Sequence, residues 1–374
     1  MSATTLEILC LEPWMGGSHA AFLESWTARS AHRVEALGLA PRHWRWRMRS
    51  APWEFARRLL REERARPDVL FVSDYVDLPA LLGMLPASWA GVPTIAYFHE
   101  NQLTYPEAEG TVRDGHLGWT NLVTCLRADA LVFNSEFHAS EFRTAGEDFL
   151  ASLPRPSPRA DFKAALDRAV VIPPGIDWES IPLGAGGSGP LRVLFPHRWE
   201  HDKEPLRFLR AIREATGNGV ALELVLLGER GGRLPDGLDE ELNALAPSIA
   251  HNGYADSRDD YLALIGTCDL VVSTASHEFY GIAVAEALAA GCAPLLPARL
   301  AYPEVLPGPW HAAGLYAKGE LASRLHCRAA DPAPLRRASA RQALRDAMRS
   351  QDRAPVVARL DQLAEDRSAA ARSE

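Results

Sequence analysis

The chain has few cysteines, no long apolar run and no surplus of positive charge, and each shortage closes off a class of protein. Its five cysteines, Cys10, Cys125, Cys268, Cys292 and Cys327, are scattered, with no pair at metal-ligand spacing. That argues against a zinc cluster and a disulfide framework and for a reducing compartment, with the cytoplasm the expected location. No stretch approaches the roughly 18 uninterrupted apolar residues of a membrane helix, so stable membrane insertion is not expected. Residues 1–11 carry Glu7 and no basic segment, which does not read as a secretory signal. A net charge of −8 disfavours non-specific coating of nucleic acid.

What is present is ordinary in bulk and patterned in detail. With 374 residues, 47% hydrophobic and 24% charged, the chain suits two globular domains. Continuous apolar runs at 6–11, 68–73, 93–98, 130–134 and 169–172 alternate with helical stretches such as 20–29. Runs apolar on both faces suit buried parallel strands covered by helices. The segment 182–190 (PLGAGGSGP) has four glycines and a proline at each end, and reads as a flexible linker or hinge. A second set follows, with strands expected at 191–195, 222–227 and 270–273 and helices at 204–215, 258–267 and 281–290. The expected organisation is therefore a Rossmann-like domain at 1–181, a linker at 182–190, a second Rossmann-like domain at 191–320 and a helical tail at 321–374. Two doubly wound α/β domains facing across a cleft would carry their chemistry in the loops after the strands.

Those loops hold the candidates. Glu278 and Glu286 flank Phe279, Tyr280 and Gly281, where a helix opens with free N–H groups suited to a phosphate. Two such carboxylates can each hold a pair of hydroxyls, one on a sugar and one on a ribose. Glu286 falls in an apolar stretch, where an acid is costly unless it binds something. Arg198 and Lys203 follow the first strand of the second domain and can converge on a diphosphate, both side chains reaching into solvent. In the first domain Gly16 and Gly17 follow the first strand, and His99, Glu100, Asn101 and Gln102 follow a buried one. No Asp-x-Asp pair stands in a plausible loop, so the cations and the helix terminus are expected to replace a metal. No cofactor is expected.

The order of these motifs resembles that of the retaining GT-B glycosyltransferases: Gly16-Gly17, Asn134-Ser135-Glu136, Ile172 to Asp177, Arg198 with Lys203, Gly253-Tyr254, and Glu278 with Glu286. The strings EPWMGGSH at 12–19, YFHENQLTYP at 97–106 and FPHRWEHDK at 195–203 are more narrowly similar to the glycosyltransferase-like proteins associated with tRNA-queuosine α-mannosyl transfer. The resemblance implies GDP-mannose as donor and queuosine of the tRNA anticodon loop as acceptor. It assigns Arg198 and Lys203 to the leaving diphosphate, Glu286 to the ribose, and Glu278 with the 279–281 backbone to the sugar. Gly16, Gly17 and Tyr254 would join the donor site, and His99 would lie near the reacting carbon. Arg198, Lys203, Glu278 and His99 are the expected catalytic set.

One segment answers the acidity of the whole. From Arg29 to Arg66 there are eleven arginines against four acids, with Trp44, Trp46 and Trp53 among them. Arg45, Arg47 and Arg49, together with Asn101 and Gln102, are the candidate acceptor contacts. A solvated helix face over core tryptophans is the plainer reading. A basic amphipathic helix at 57–66 would instead fit a transferase with a lipid or small-molecule acceptor.

Overall fold

The computed structural model describes residues 5–107, 112–217, 219–229 and 235–373, divided between two compact units. The first unit comprises 1–175 and 353–374, the second 176–352.

Among the described residues each unit holds a six-stranded, wholly parallel sheet. The first is built from β1 (Glu7–Glu12), β2 (Arg33–Gly38), β3 (Val69–Ser73), β4 (Thr94–Phe98), β5 (Ala130–Phe133) and β6 (Val170–Val171), in the order β2-β1-β3-β4-β5-β6. Ile8, Cys10, Phe71, Ile95 and Tyr97 join one buried cluster, while Leu9, Leu11, Leu70, Val72, Ala96 and Phe98 join another. Both faces are therefore covered, which is why these strands read as unbroken apolar runs. The second sheet uses β7 (Leu191–Phe195), β8 (Leu222–Leu226), β9 (Ile249–Asn252), β10 (Leu270–Val272), β11 (Ala293–Pro297) and β12 (Leu315–Tyr316), in the order β12-β11-β10-β7-β8-β9. Each order reverses once, between β1 and β3 and between β7 and β10. Ligands in open parallel sheets bind beyond the strand ends at such reversals.

The 182–190 segment is not a free hinge. It belongs to the second unit and is strapped down: Gly184 N donates to Ala290 O at 2.9 Å, and Gly187 N to Asp269 Oδ1 at 2.9 Å. Arg341 Nε holds the Gly184 carbonyl at 2.8 Å. Gly184 is required, because a Cβ there would meet the Gly266 carbonyl oxygen at 2.1 Å. The glycines serve close packing here.

The 321–374 tail is likewise divided. Residues up to 352 stay in the second unit, whereas helix Arg353–Ser373 packs on the first, burying Val356, Val357 and Leu360 in the cluster that holds Phe22 and Trp26. Asp361 fixes it, accepting from Trp26 Nε1 at 2.8 Å, Ser30 Oγ at 2.6 Å and Ala31 N at 2.9 Å. Among the described residues no helix is long and apolar enough to cross a membrane.

Candidate active site

In the second unit the reversal brings the loop after β7 against the loop after β10. Lys203 Nζ donates to the His277 carbonyl at 2.9 Å and lies 3.0 Å from Asp202 Oδ2 and 3.2 Å from Glu278 Oε2. Burial works against the ammonium, but Glu278 and Asp202 outweigh it and raise its pKa. Glu278 stays ionised for the reciprocal reason: burial opposes its charge, and Lys203 prevails. The expectation that Lys203 reaches into solvent is corrected: two carboxylates draw it in. Arg198 is the exposed member of the pair, its side chain 55% accessible and 3.2 Å from Glu200. His197 is buried, and its Nε2 finds no partner among the described residues. Burial, helped by the Lys203 charge, pushes its pKa down to about 4, so it is a neutral ring beside two cations.

Gly281 caps helix Ile282–Ala289 at φ 90°, a left-handed conformation that favours glycine. Phe279 and Tyr280 are core side chains, the latter donating to Gln351 Oε1 at 2.8 Å, so only their backbone is left for a ligand. Glu286 is buried in that helix, and its neutralising partner is Arg258, at 2.6 Å. Sequence reasoning found the burial cost and missed the arginine, which comes from a different helix, Arg258–Gly266. Tyr254 is 78% exposed, after edge strand β9 and apart from the β7–β10 reversal.

In the first unit the β1–β3 reversal assembles a cluster that sequence reasoning named only through His99. Glu12, ending β1, is buried and accepts from Trp14 N at 2.8 Å. Its second oxygen lies 3.2 Å from His19 Nδ1. The His19 ring stacks on His99, centroids 4.0 Å apart and planes 30° from parallel. Asp74, just after β3, accepts from His99 N at 3.0 Å, while its Oδ2 finds no donor among the described residues. Burial lowers the His19 pKa, but Glu12, with Asp74 and Glu100, overrides it and lifts it to about 8. His99 is driven the other way, well below the ordinary value, by burial and then by the His19 charge. Burial, and then Glu100, push the Asp74 carboxyl well up. Glu12, His19 and His99 place ligand-type atoms within 4.8 Å of one another, the one such group of three among the described residues. Gly16 is the extended N-cap, and Gly17, at φ 53°, opens helix Gly17–Arg29 beside this cluster. The missed signal was positional: Asp74 follows β3 as His99 follows β4.

The expected acceptor residues separate. Arg47 is a structural residue, buried and held to Glu54 at 2.8 and 2.9 Å. Arg45 and Arg49 are paired with Glu107 and Asp114. Asn101 is fully buried, its Oδ1 accepting from Leu103 N and Thr104 N, so it shapes the turn after β4. Gln102 Nε2 donates to Glu100 Oε1 at 3.0 Å, and Tyr75 Oη donates to the same oxygen. The helix expected at 57–66 ends at Arg61, within helix Trp44–Arg61.

Residues 186–307 match the family described as Glycosyl transferases group 1. Sucrose-phosphate synthase from Thermosynechococcus elongatus superposes with a TM-score of 0.71, over 97% of this chain and 100% of that one, at 13% identity. The chain is a glycosyltransferase of the GT-B fold. Residues 7–176 match the family described as tRNA-queuosine alpha-mannosyltransferase N-terminal, and the Drosophila melanogaster tRNA-queuosine alpha-mannosyltransferase is 32% identical over 82% of this chain and 83% of its own. The chain belongs to the tRNA-queuosine alpha-mannosyltransferase family. It is also similar, at 26% identity over 65% of its length and 60% of the relative's, to a GDP-mannose-dependent alpha-(1-6)-phosphatidylinositol dimannoside mannosyltransferase of Mycobacterium tuberculosis.

Proposed function

We propose that the chain transfers mannose, with retention, from GDP-mannose to queuosine in the tRNA anticodon loop, in the cytoplasm and without a metal ion. The observation that carries this reading is the match of residues 7–176 to the N-terminal domain of the tRNA-queuosine enzymes, a span that includes Glu12, His19, Asp74 and His99. The donor is supported by the mycobacterial relative, whose name specifies GDP-mannose.

In the reaction the bond from the anomeric carbon to the diphosphate oxygen breaks, and GDP leaves with the electron pair. The acceptor hydroxyl bonds to that carbon on the face GDP has left, and its proton passes to a phosphate oxygen. Arg198 and Lys203 offset the developing negative charge, a role in which a single preorganised contact is worth about 3–4 kcal/mol. Glu278 and the 279–281 backbone hold the sugar, and Glu286 the ribose. Gly16, Gly17 and Tyr254 keep their assignment to the donor. Neutral His99 is suited to a sugar hydroxyl, as donor or acceptor.

A lipid acceptor is the second reading, favoured by exposed Trp46, Trp53 and Leu60 on a basic helix. Donor competition tests the first half of the proposal. With queuosine-containing tRNA as acceptor, GDP-mannose should support transfer and UDP-sugars should not. Transfer from a UDP-sugar in preference would overturn the donor assignment.

A further inference from the structure

Helix Trp44–Arg61 has one face that the fold uses and one that it does not. Inward, Met48, Ala51, Phe55, Ala56 and Leu59 are buried. Outward, Trp46 is 62% and Trp53 54% exposed, the two exposed tryptophans among the described residues of a chain that has ten. A core helix has no structural use for them there, and exposed apolar surface of this kind marks contact sites. Steps of three and four residues put Trp46, Arg49, Trp53, Arg57 and Arg61 on a single stripe. The Arg57 guanidinium lies 5.4 Å from the Trp53 ring centroid and has no ion-pair partner among the described residues. The Arg61 side chain is 72% exposed, its closest acid Glu62 at 3.8 Å. Arg49 shares its charge with Asp114.

Cation and aromatic thus alternate along one line. A helix lying in a membrane interface separates them, apolar side down and basic side up. Here the side that carries Met48, Ala51, Phe55, Ala56 and Leu59 is already in the core, which argues against a lipid surface. Alternation suits single-stranded nucleic acid, whose bases stack on aromatic rings while its phosphates take arginines. The two tryptophans are about 10.5 Å apart along the axis, with Arg49 between them. The helix that carries the stripe also begins at the candidate site of its own unit: Trp44, on another face, lies 6.5 Å from Tyr75 and 6.2 Å from Tyr105, ring to ring, and Tyr75 is hydrogen-bonded to Glu100.

We propose that this outward stripe docks the single-stranded loop of a tRNA, with Trp46 and Trp53 stacking unpaired bases and Arg49, Arg57 and Arg61 meeting phosphates. The inference rests on the reading of tRNA as acceptor and moves its contacts from Arg45 and Arg47 to this face.

The test uses the full chain and queuosine-containing tRNA. Trp46→Ala with Trp53→Ala should weaken tRNA binding by about tenfold or more, and the double Phe variant should restore most of it. Arg57→Glu with Arg61→Glu should weaken binding and flatten the dependence of log affinity on log salt by about one to two. Donor KM and thermal unfolding should match wild type in both, because these side chains are exposed. Unchanged tRNA affinity in both variants, with transfer to tRNA intact, overturns the stripe and leaves the function standing. Wild-type protein that neither binds nor modifies tRNA overturns both. Capture by phosphatidylserine vesicles, lost in the tryptophan variant while tRNA affinity is unchanged, assigns the stripe to a membrane and overturns the proposal.

Discussion

Lys203 Nζ and Glu278 Oε2 lie 3.2 Å apart although 75 residues separate them in the chain. The neighbouring of β7 and β10 makes the pair, and it gives the two cations of the proposed donor site different dependencies. Removing Lys203 leaves Glu278 and Asp202 without their cation, so Lys203→Met should lose about 3–5 kcal/mol of folding stability as well as activity. Arg198 is exposed, and Arg198→Ala should keep the wild-type Tm while losing about 2–4 kcal/mol in kcat/KM. Urea unfolding beside steady-state kinetics separates the two. Equal stability of both variants would show that the Lys203 contacts contribute nothing to the fold.

Of the three histidines with shifted pKa, His19 and His197 give stability opposite slopes in pH. His19, at about 8 in the fold against about 6.5 unfolded, adds about 2 kcal/mol below pH 6.5, and this is lost as pH rises to 8. His197, at about 4, is favoured neutral, so its contribution is complete above pH 6.5 and about 3 kcal/mol is lost as pH falls to 4. Unfolding free energy against pH should lose its alkaline limb in His19→Gln and part of its acid limb in His197→Gln. Parallel curves for wild type and both variants would refute the assignment.

Asp361 accepts three hydrogen bonds from the first unit's own helix end, at Trp26, Ser30 and Ala31. Asp361→Ala leaves the buried Trp26 N–H unsatisfied and should cost about 2–3 kcal/mol. Because no candidate site residue is touched, donor KM should not move. A change in KM at unchanged stability would place this helix in catalysis.

Chelator should leave transfer intact. Glu12, His19 and His99 are close enough to share an ion, but the two rings meet face to face, and near neutral pH His19 is held protonated beside Glu12. A protonated imidazole is not a metal ligand. Activity lost in excess chelator and restored by a divalent cation would instead overturn the metal-free reading.

Much of this was legible in the sequence, and the gaps have physical causes. The apolar runs located β1, β3, β4, β5, β7, β8 and β10 to within about two residues at their ends, because strands buried on both faces carry few polar residues to blur them, Arg192 in β7 and Glu223 in β8 being exceptions. β2 escaped because it alternates Arg33-Val34-Glu35-Ala36 at the sheet edge, and β11 because Pro294 and Pro297 argue against a strand. Lys203 was placed in the right loop but on the wrong side of the surface, since its two carboxylate partners are set by packing. Arg47 was counted with its neighbours because a buried arginine and an exposed one look alike until the helix is phased. His19 has no role legible in the sequence, since its partner Glu12 belongs to the preceding strand and its stacking partner His99 follows another.

The central claim is transfer of mannose to tRNA queuosine, and nucleoside mass spectrometry after incubation with GDP-mannose tests it most directly. Queuosine-containing tRNA should yield queuosine heavier by one hexose, released as mannose on hydrolysis, and tRNA lacking queuosine should yield no hexosylated nucleoside. Transfer to both tRNAs alike, or to a lipid extract and to neither tRNA, would contradict the account.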